Sequence, residues 1–260
     1  MQIYHGETSE TTRFIESTRH LRLEEKEPAF QNYIRHIRRH KRLDDPNLRM
    51  LEIGTGTGWF PLMCKLKGIP CTCKGLEISP QLIAFARELG AKYGVEPDIE
   101  LGNIEDGAIA DSSYDVVVAM SIFEHVEDWR TGLRHVYRIL KPGGILVFES
   151  TNKFSFTSGE YDFPLYGWMP NAWRYKLRIR RQGPDVMRLG IDFHQFRYPL
   201  LRRVFRETGF RSIEDRFDLT DPSRMNVRWK RGVARVCQRL RPVRHLALTF
   251  VETTNFVCVK

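Results

Sequence analysis

Long apolar runs are missing from this sequence. No stretch approaches the roughly 18 residues that a membrane-spanning helix requires, and the opening Met1-Gln-Ile-Tyr-His-Gly-Glu-Thr8 has no apolar leader core. Neither a bilayer-crossing chain nor an exported one is indicated, so the expected location is the cytoplasm. A cysteine framework is missing as well. Cys71 and Cys73 stand two apart in an expected strand and share one face of it, while Cys64, Cys237 and Cys258 are scattered. This spells out neither a disulfide scaffold nor a zinc site, so no metal centre is expected and the thiols read as small reduced hydrophobes. Internal repeats and low-complexity stretches are also absent. Acidic residues are scarce late in the chain: Ser223 to Arg244 has none, and Lys and Arg total 41 against 32 Asp and Glu, a formal charge of +9. That balance suggests an anionic partner, whether nucleic acid, a membrane surface or an acidic substrate. Charge alone does not choose among them.

What is present is an alternation of strands and helices. Residues 1 to about 45 carry apolar positions at helical spacing, such as Phe30, Tyr33, Ile34 and Ile37, with Pro28 dividing two pieces. Strands are expected at Arg49 to Ile53, Cys71 to Ile78, Asp98 to Leu101, Tyr114 to Met120 and Ile145 to Phe148. Helices are expected at Trp59 to Lys67, from Pro80 behind an N-capping Ser79, and at Asp128 to Leu140. Lys141-Pro-Gly-Gly144 is expected to stop the last of these and launch the fifth strand. Such alternation implies a Rossmann-like, doubly wound α/β fold with a mostly parallel sheet covered on both faces. Its ligands lie beyond the carboxyl ends of the strands. After Ser150 the alternation breaks. A helix over Pro199 to Thr208, a strand over Phe210 to Phe217, a basic helix over 222 to 244 bending near Pro242, and a β-rich end over Ala247 to Lys260 are expected to follow. The implied organisation is an N-terminal helical cap (1–45), a ligand-binding core (46–153), an insertion after the fifth strand (154–193) and a C-terminal completion of the sheet with a basic helix (194–260).

The chemistry begins at Glu52-Ile-Gly-Thr-Gly-Thr-Gly58. A strand turning sharply into a helix needs glycine for positive φ and for close approach of a ligand. A dinucleotide site prefers G-x-G-x-x-G, whose third glycine lets helix and strand pack. Here that position is Trp59, which turns the motif away from NAD and FAD. Glu77 ends the second strand about 20 residues on, where an acid can accept from both hydroxyls of a ribose.

With Leu51-Glu-Ile-Gly-Thr-Gly-Thr-Gly58, Gly75-Leu-Glu-Ile-Ser79, Gly102-Asn-Ile-Glu-Asp106, Tyr114 to Val126 and Leu140-Lys-Pro-Gly-Gly-Ile145 in this order, the chain resembles the class I S-adenosylmethionine-dependent methyltransferases. It looks most like the branch that methylates small molecules, including the ubiquinone-biosynthesis O-methyltransferases. The similarity covers roughly residues 48 to 150. It implies S-adenosylmethionine as cofactor and gives each motif a place. Gly54, Thr55, Gly56 and Gly58 would lie against the methionine part with Glu52 beneath. Glu77 would hold the ribose and Ile78 would pack on adenine. Asn103 and Ile104 would read the adenine edge, Asn standing where Asp is usual; its carbonyl oxygen can accept from an amino group. Met120 and Ser121 would lie near the sulfonium. The resemblance sets Glu124 and His125 on the substrate side, where a His of near-neutral pKa can act as general base; the alternative is a pair that only shapes the pocket. His194 is a further candidate base, with a structural role as its alternative.

The insertion is aromatic and basic: Phe154, Phe156, Tyr161, Phe163, Tyr166, Trp168, Trp173 and Tyr175 run into Lys176, Arg178, Arg180 and Arg181. In proteins that the chain resembles, this stretch often forms a substrate lid. It also suits an anionic membrane interface or stacking on nucleic acid. The expected function is methyl transfer to an O or N atom of a small-molecule or lipid-like acceptor, with peripheral contact to an anionic membrane as an added expectation. The alternatives are a methyltransferase acting on RNA or protein, and a non-catalytic binding module of the same fold. Ala119-Met-Ser-Ile122 lacks the Asn/Asp-Pro-Pro-aromatic motif of many nucleic-acid N-methyltransferases, while nucleic acid stays open on charge.

Overall fold

The structure is a computed structural model that describes residues 9–157, 163–183 and 192–260. The opening octapeptide and residues 158–162, with Tyr161, and 184–191 of the expected insertion lie outside the described residues. Two helices, α1 (Ser9–Thr18) and α2 (Glu27–Arg38), precede β1 (Arg49–Ile53). The alternation follows as α3 (Trp59–Leu66), β2 (Thr72–Glu77), α4 (Pro80–Lys92), β3 (Ile99–Leu101), β4 (Tyr114–Met120), α5 (Trp129–Ile139) and β5 (Leu140–Thr151). Beyond it come α6 (Asn171–Gln182), α7 (Tyr198–Thr208), β6 (Ser212–Asp215), α8 (Arg216–Leu219), α9 (Arg228–Arg239), α10 (Arg241–Phe250) and β7 (Thr253–Val259). Among the described residues the strands form one sheet in the order β3-β2-β1-β4-β5-β7-β6. β1 to β5 pair in parallel, and β7 inserts antiparallel between β5 and β6. This is the Rossmann-like, mostly parallel architecture that the alternation implies.

Each central strand is apolar on both faces, as a covered parallel sheet requires. Successive residues go to opposite sides. Leu51, Val117, Ala119, Leu146, Phe148 and Phe256 meet α5 and α7. Met50, Val116, Val118, Ile145, Val147 and Val257 meet α2 and α3. The N-terminal segment is thus part of the core: Phe30, Ile34 and Ile37 of α2 are fully buried there.

Local signals hold at most ends. Ser79 caps α4 by accepting from the Leu82 amide, and Asp128 caps α5 by accepting from Thr131. Gly209 ends α7 at φ +114°. Four expectations are corrected. Lys141-Pro-Gly-Gly144 does not precede the fifth strand but lies inside β5, where the register against β4 shifts between Tyr114 and Val116. Its polar groups are taken up by the chain end, since the Gly143 amide donates to the Lys260 carbonyl and the Lys260 amide to that of Gly144. The basic stretch over 222 to 244 is not one bent helix. α9 ends at Arg239, Leu240 is extended, and Pro242 opens α10 in the first turn that proline tolerates. The strand expected to Phe217 stops at Asp215, whose carboxylate joins Asp218 in a capping box that starts α8. The β-rich end begins at Thr253, because residues 247–250 complete α10.

Candidate active site

The glycines differ in what their surroundings demand. Gly54, Gly56 and Gly58 have φ of +60°, +55° and +68°, a region that side-chain-bearing residues rarely enter. A β-carbon on Gly54 would stand 2.3 Å from Ile122, and one on Gly58 2.9 Å from Ala86. Those two positions are dictated by packing. A β-carbon on Gly56 would meet nothing within 4 Å: the turn is held open there. The Gly54 amide donates to the Leu76 carbonyl at 2.8 Å, which ties the turn to β2.

Two carboxylates stand under and beside this turn. Glu52 is buried and accepts from the Thr55 hydroxyl. Burial pushes its carboxyl up to about 8, against the lowering by Thr55, and the neighbouring Glu77 charge adds to the rise. Glu77 accepts from three backbone amides, Gly56 at 2.8 Å, Ile78 at 2.9 Å and Ser79 at 3.0 Å. Burial raises its carboxyl, and those three amides pull the other way. The hydrogen bond to Gly56 fixes the open part of the turn relative to the end of β2.

On the neighbouring wall, Asn103 accepts from the Glu105 amide at 3.0 Å and donates to the Glu105 carboxylate at 3.3 Å, so its amide group caps the turn that presents Ile104. Met120 ends β4. Ser121 follows at φ +47° with its amide bonded to the Glu149 carbonyl at 2.9 Å. A non-glycine residue held in that region is backbone strain stored at a strand end, a recurring feature of ligand sites.

Glu52, Gly54, Thr55, Gly56, Glu77, Ile78, Asn103, Ile104, Met120, Ser121 and His125 line one cavity of about 710 Å³ at the carboxyl ends of the strands. That is the range of small-molecule and cofactor sites. Gly58 stands behind the turn as the N-cap of α3. Glu124 is wholly buried and lies behind the wall. Its carboxylate accepts from the Ser150 hydroxyl at 2.9 Å and the Thr151 amide at 3.1 Å, joining the turn after β4 to the end of β5. His194 also stands off the cavity. Its Nε2 donates to the Glu127 carbonyl at 2.8 Å and its amide to that of Glu124. These bonds anchor the 192–196 segment, which brings Phe193 and Gln195 to the wall. Glu124 and His194 are therefore placed to position the site, and His125 to face what it holds.

The sequence did not reveal much of the rest of the wall. Phe14, Lys26, Trp59, Thr151, Tyr166 and Gln195 complete it. Tyr166 donates to Asp192 at 2.9 Å and Gln195 donates to the same carboxylate at 2.7 Å, while Arg174 pairs with it in full burial. One buried ion pair thus sets two cavity-facing groups. Only an aromatic-basic composition hinted at it.

The residues fit an adenosyl cofactor. The turn leaves space at Gly56, a carboxylate ends β2, and a buried cavity joins them to Asn103. Residues 51–148 match a family model described as a methyltransferase domain. Over residues 51–148 the chain is therefore similar to methyltransferases. A ubiquinone biosynthesis O-methyltransferase of Xanthomonas oryzae pv. oryzae is 33% identical to it over 113 residues, which are 43% of this chain and 46% of that protein. An ajmaline N-methyltransferase of Rauvolfia serpentina is 30% identical over 112 residues, 41% and 38% of the two chains. The matches span less than half the length of these curated relatives. Among solved structures, a phosphoethanolamine N-methyltransferase 2 of Haemonchus contortus, in complex with phosphomonomethylethanolamine and S-adenosylhomocysteine, superposes at a TM-score of 0.56. It is 17% identical and covers 88% of this chain and 52% of its own. A SAM-dependent methyltransferase from Archaeoglobus fulgidus gives 0.54 at 18% identity, covering 96% and 99%. These likenesses show the fold. Among the described residues, no group of three or more His, Cys, Asp or Glu is arranged to hold a metal.

Proposed function

We propose that the protein transfers a methyl group from S-adenosylmethionine to an oxygen or nitrogen atom of a small-molecule or lipid-like acceptor. The observation that carries this reading is one cavity lined by the glycine turn, Glu77 and Asn103 together with His125, Tyr166 and Gln195. When bound, the cofactor supplies a sulfonium methyl group, an electrophile that needs in-line approach of a nucleophile and little else. Glu77 would hold the ribose hydroxyls, Ile78 and Ile104 would enclose the adenine with Asn103 at its edge, and Gly54 to Gly56 with Glu52 and Thr55 would line the methionine part. Met120 and Ser121 would flank the transfer line. His125 would accept the proton that the acceptor O–H or N–H gives up, which balances the methyl cation gained. Glu124 would keep His125 in place through β5, and His194 would hold the 192–196 segment. Tyr166 and Gln195 would be polar contacts of the acceptor. Apolar Phe14, Trp59 and Phe193 on the wall favour an acceptor with a hydrophobic body.

The test has two parts. Glu77→Ala should abolish cofactor binding by calorimetry. His125→Ala should bind the cofactor like wild type and lower turnover at least about 100-fold, measured as labelled methyl transfer into lipid and aqueous fractions of a cell extract. Equal turnover in wild type and His125→Ala would remove the proposed base, and absence of cofactor binding in wild type would favour a non-catalytic module.

A further inference from the structure

α9 has two apolar sides, and only one of them is used by the fold. Ala234 and Cys237 turn inward and are buried. Trp229, Val233 and Val236, spaced i, i+4 and i+7, form a second stripe that faces solvent, and exposed Leu240 follows them at the bend after α9; Trp229 is 67% exposed. α10 carries an exposed apolar row of its own, Val243, Leu246 and Phe250, Leu246 being 64% exposed. Such spacing keeps a row on one helix face. Scattered exposed apolar residues need no explanation, but exposed apolar rows on two consecutive helices joined at exposed Leu240 do.

The row has a cationic edge. Arg228, Arg235 and Arg239 recur at i, i+7 and i+11 beside it, all exposed, with Arg241 at the start of α10. No acidic residue occurs from Ser223 to Arg244. At its far end the row reaches the active-site cavity. Phe250 stacks on Phe156 at 5.6 Å between ring centres and on Trp168 at 6.3 Å. Their neighbours Ser155, Thr157 and Gly167, with Glu252 and Thr253 after α10, line the cavity. Asn152 ties the pieces by donating to the carbonyls of Leu248, Thr249 and Val251 at the end of α10.

We infer that the α9–α10 face is a peripheral docking surface for an anionic lipid bilayer, which sets the cavity mouth against the headgroup layer. A helix lying in an interface buries an apolar face a few ångströms deep and keeps its cations at headgroup level. That matches a tryptophan-bearing aliphatic stripe beside a row of arginines. Nucleic acid would answer the arginines but not the aliphatic row. A second copy of the chain packed antiparallel on this face about a two-fold axis would bring one arginine edge against its like.

The inference is independent of the methyl acceptor, because docking is read without cofactor or substrate. Sedimentation with vesicles of phosphatidylcholine and phosphatidylglycerol should carry the protein down at low salt, and vesicles of phosphatidylcholine alone should not. The Arg228→Gln/Arg235→Gln/Arg239→Gln variant should bind on the order of 100-fold more weakly, at about one lipid-facing cation per fivefold. The Trp229→Ser/Leu240→Ser variant should lose at least about tenfold. All replaced side chains are exposed, so melting temperatures should match wild type. Equal binding of wild type and both variants, or no wild-type binding to the anionic vesicles, overturns the inference. So does a vesicle-free dimer that the Trp229→Ser/Leu240→Ser variant dissociates, or RNA binding lost in the arginine variant without vesicle binding.

Discussion

Gly54 and Gly56 lie two residues apart at nearly the same φ, yet the same substitution should act on them in different ways. Alanine at either position costs about 1–2 kcal/mol in the left-handed region. At Gly54 the added carbon also strikes Ile122 at 2.3 Å, inside the wall, so Gly54→Ala should lose stability and cofactor affinity together. At Gly56 nothing stands within 4 Å, so Gly56→Ala should fold with a melting temperature a few degrees lower and fail to bind the cofactor. Calorimetry beside thermal unfolding separates the two, and normal binding by Gly56→Ala would place the ligand elsewhere. Glu52 gives a second residue-scale prediction. Its carboxyl titrates at about 8 in the folded protein against an ordinary 4.5, chiefly through burial. Between those pH values the unfolded chain has released a proton that the folded one keeps. Stability of the cofactor-free protein should therefore fall as pH rises from about 4.5 to 8 and level off above. Glu52→Gln keeps an acceptor for Thr55 and removes the titration. It should flatten that slope and stabilise the protein at pH 8 by about 4–5 kcal/mol. Parallel pH slopes in the two proteins would show that Glu52 is not the group responsible. The residues of this half-site were legible because they are contiguous with strand ends. Thr151, Tyr166 and Gln195 were not, since only the folding of segments far apart in the chain makes them neighbours.

Elements were legible where a local signal matched the tertiary demand. β1 and β4 end where their apolar runs end, and α4 and α5 start at their capping side chains. The misread boundaries share a cause: a non-local partner overrides the local signal. Proline and two glycines belong to β5 because Lys260, at the far end of the chain, pairs with Gly143 and Gly144. Residues 247–250 carry Thr and Phe, good strand formers, yet they finish a helix. Asn152 supplies the reason. Its side-chain amide reaches three carbonyls at the end of α10, at 3.2, 3.0 and 2.8 Å, and satisfies groups that a helix end leaves open. Asn152→Ala leaves that end uncapped and should cost about 1–3 kcal/mol. Amide exchange over 245–250 should quicken by more than it does in α5. Because Asn152 also lines the cavity, KM for the acceptor should rise while cofactor affinity holds. Unchanged exchange over 245–250 would mean that α10 is held by its packing alone.

At the scale of the molecule, the question is whether the first forty-five residues form a cap of their own or a layer of the core. The sequence divides them from the strand-rich region at Asp44-Asp-Pro-Asn47, and a helical pair before a turn reads as a separate unit. The packing joins them. Phe30 is buried against Phe60 of α3 with ring centres 5.6 Å apart, and Tyr33 meets both Phe60 and Trp59. Without α2, the strand residues Met50, Val116, Val118, Ile145 and Val147, with which α2 shares one cluster, would lose part of their cover. Trp59 links this layer to function, since it also lines the cavity. Phe30→Ala should then cost the whole protein about 3–5 kcal/mol and leave a single unfolding transition, because the two parts share one core. Cofactor binding should weaken with it, although Phe30 stands well outside the site residues. Differential scanning calorimetry distinguishes the two organisations. A separate cap would melt in its own early transition and leave the main transition at the wild-type temperature, and that result would return α1 and α2 to the status of an appendage.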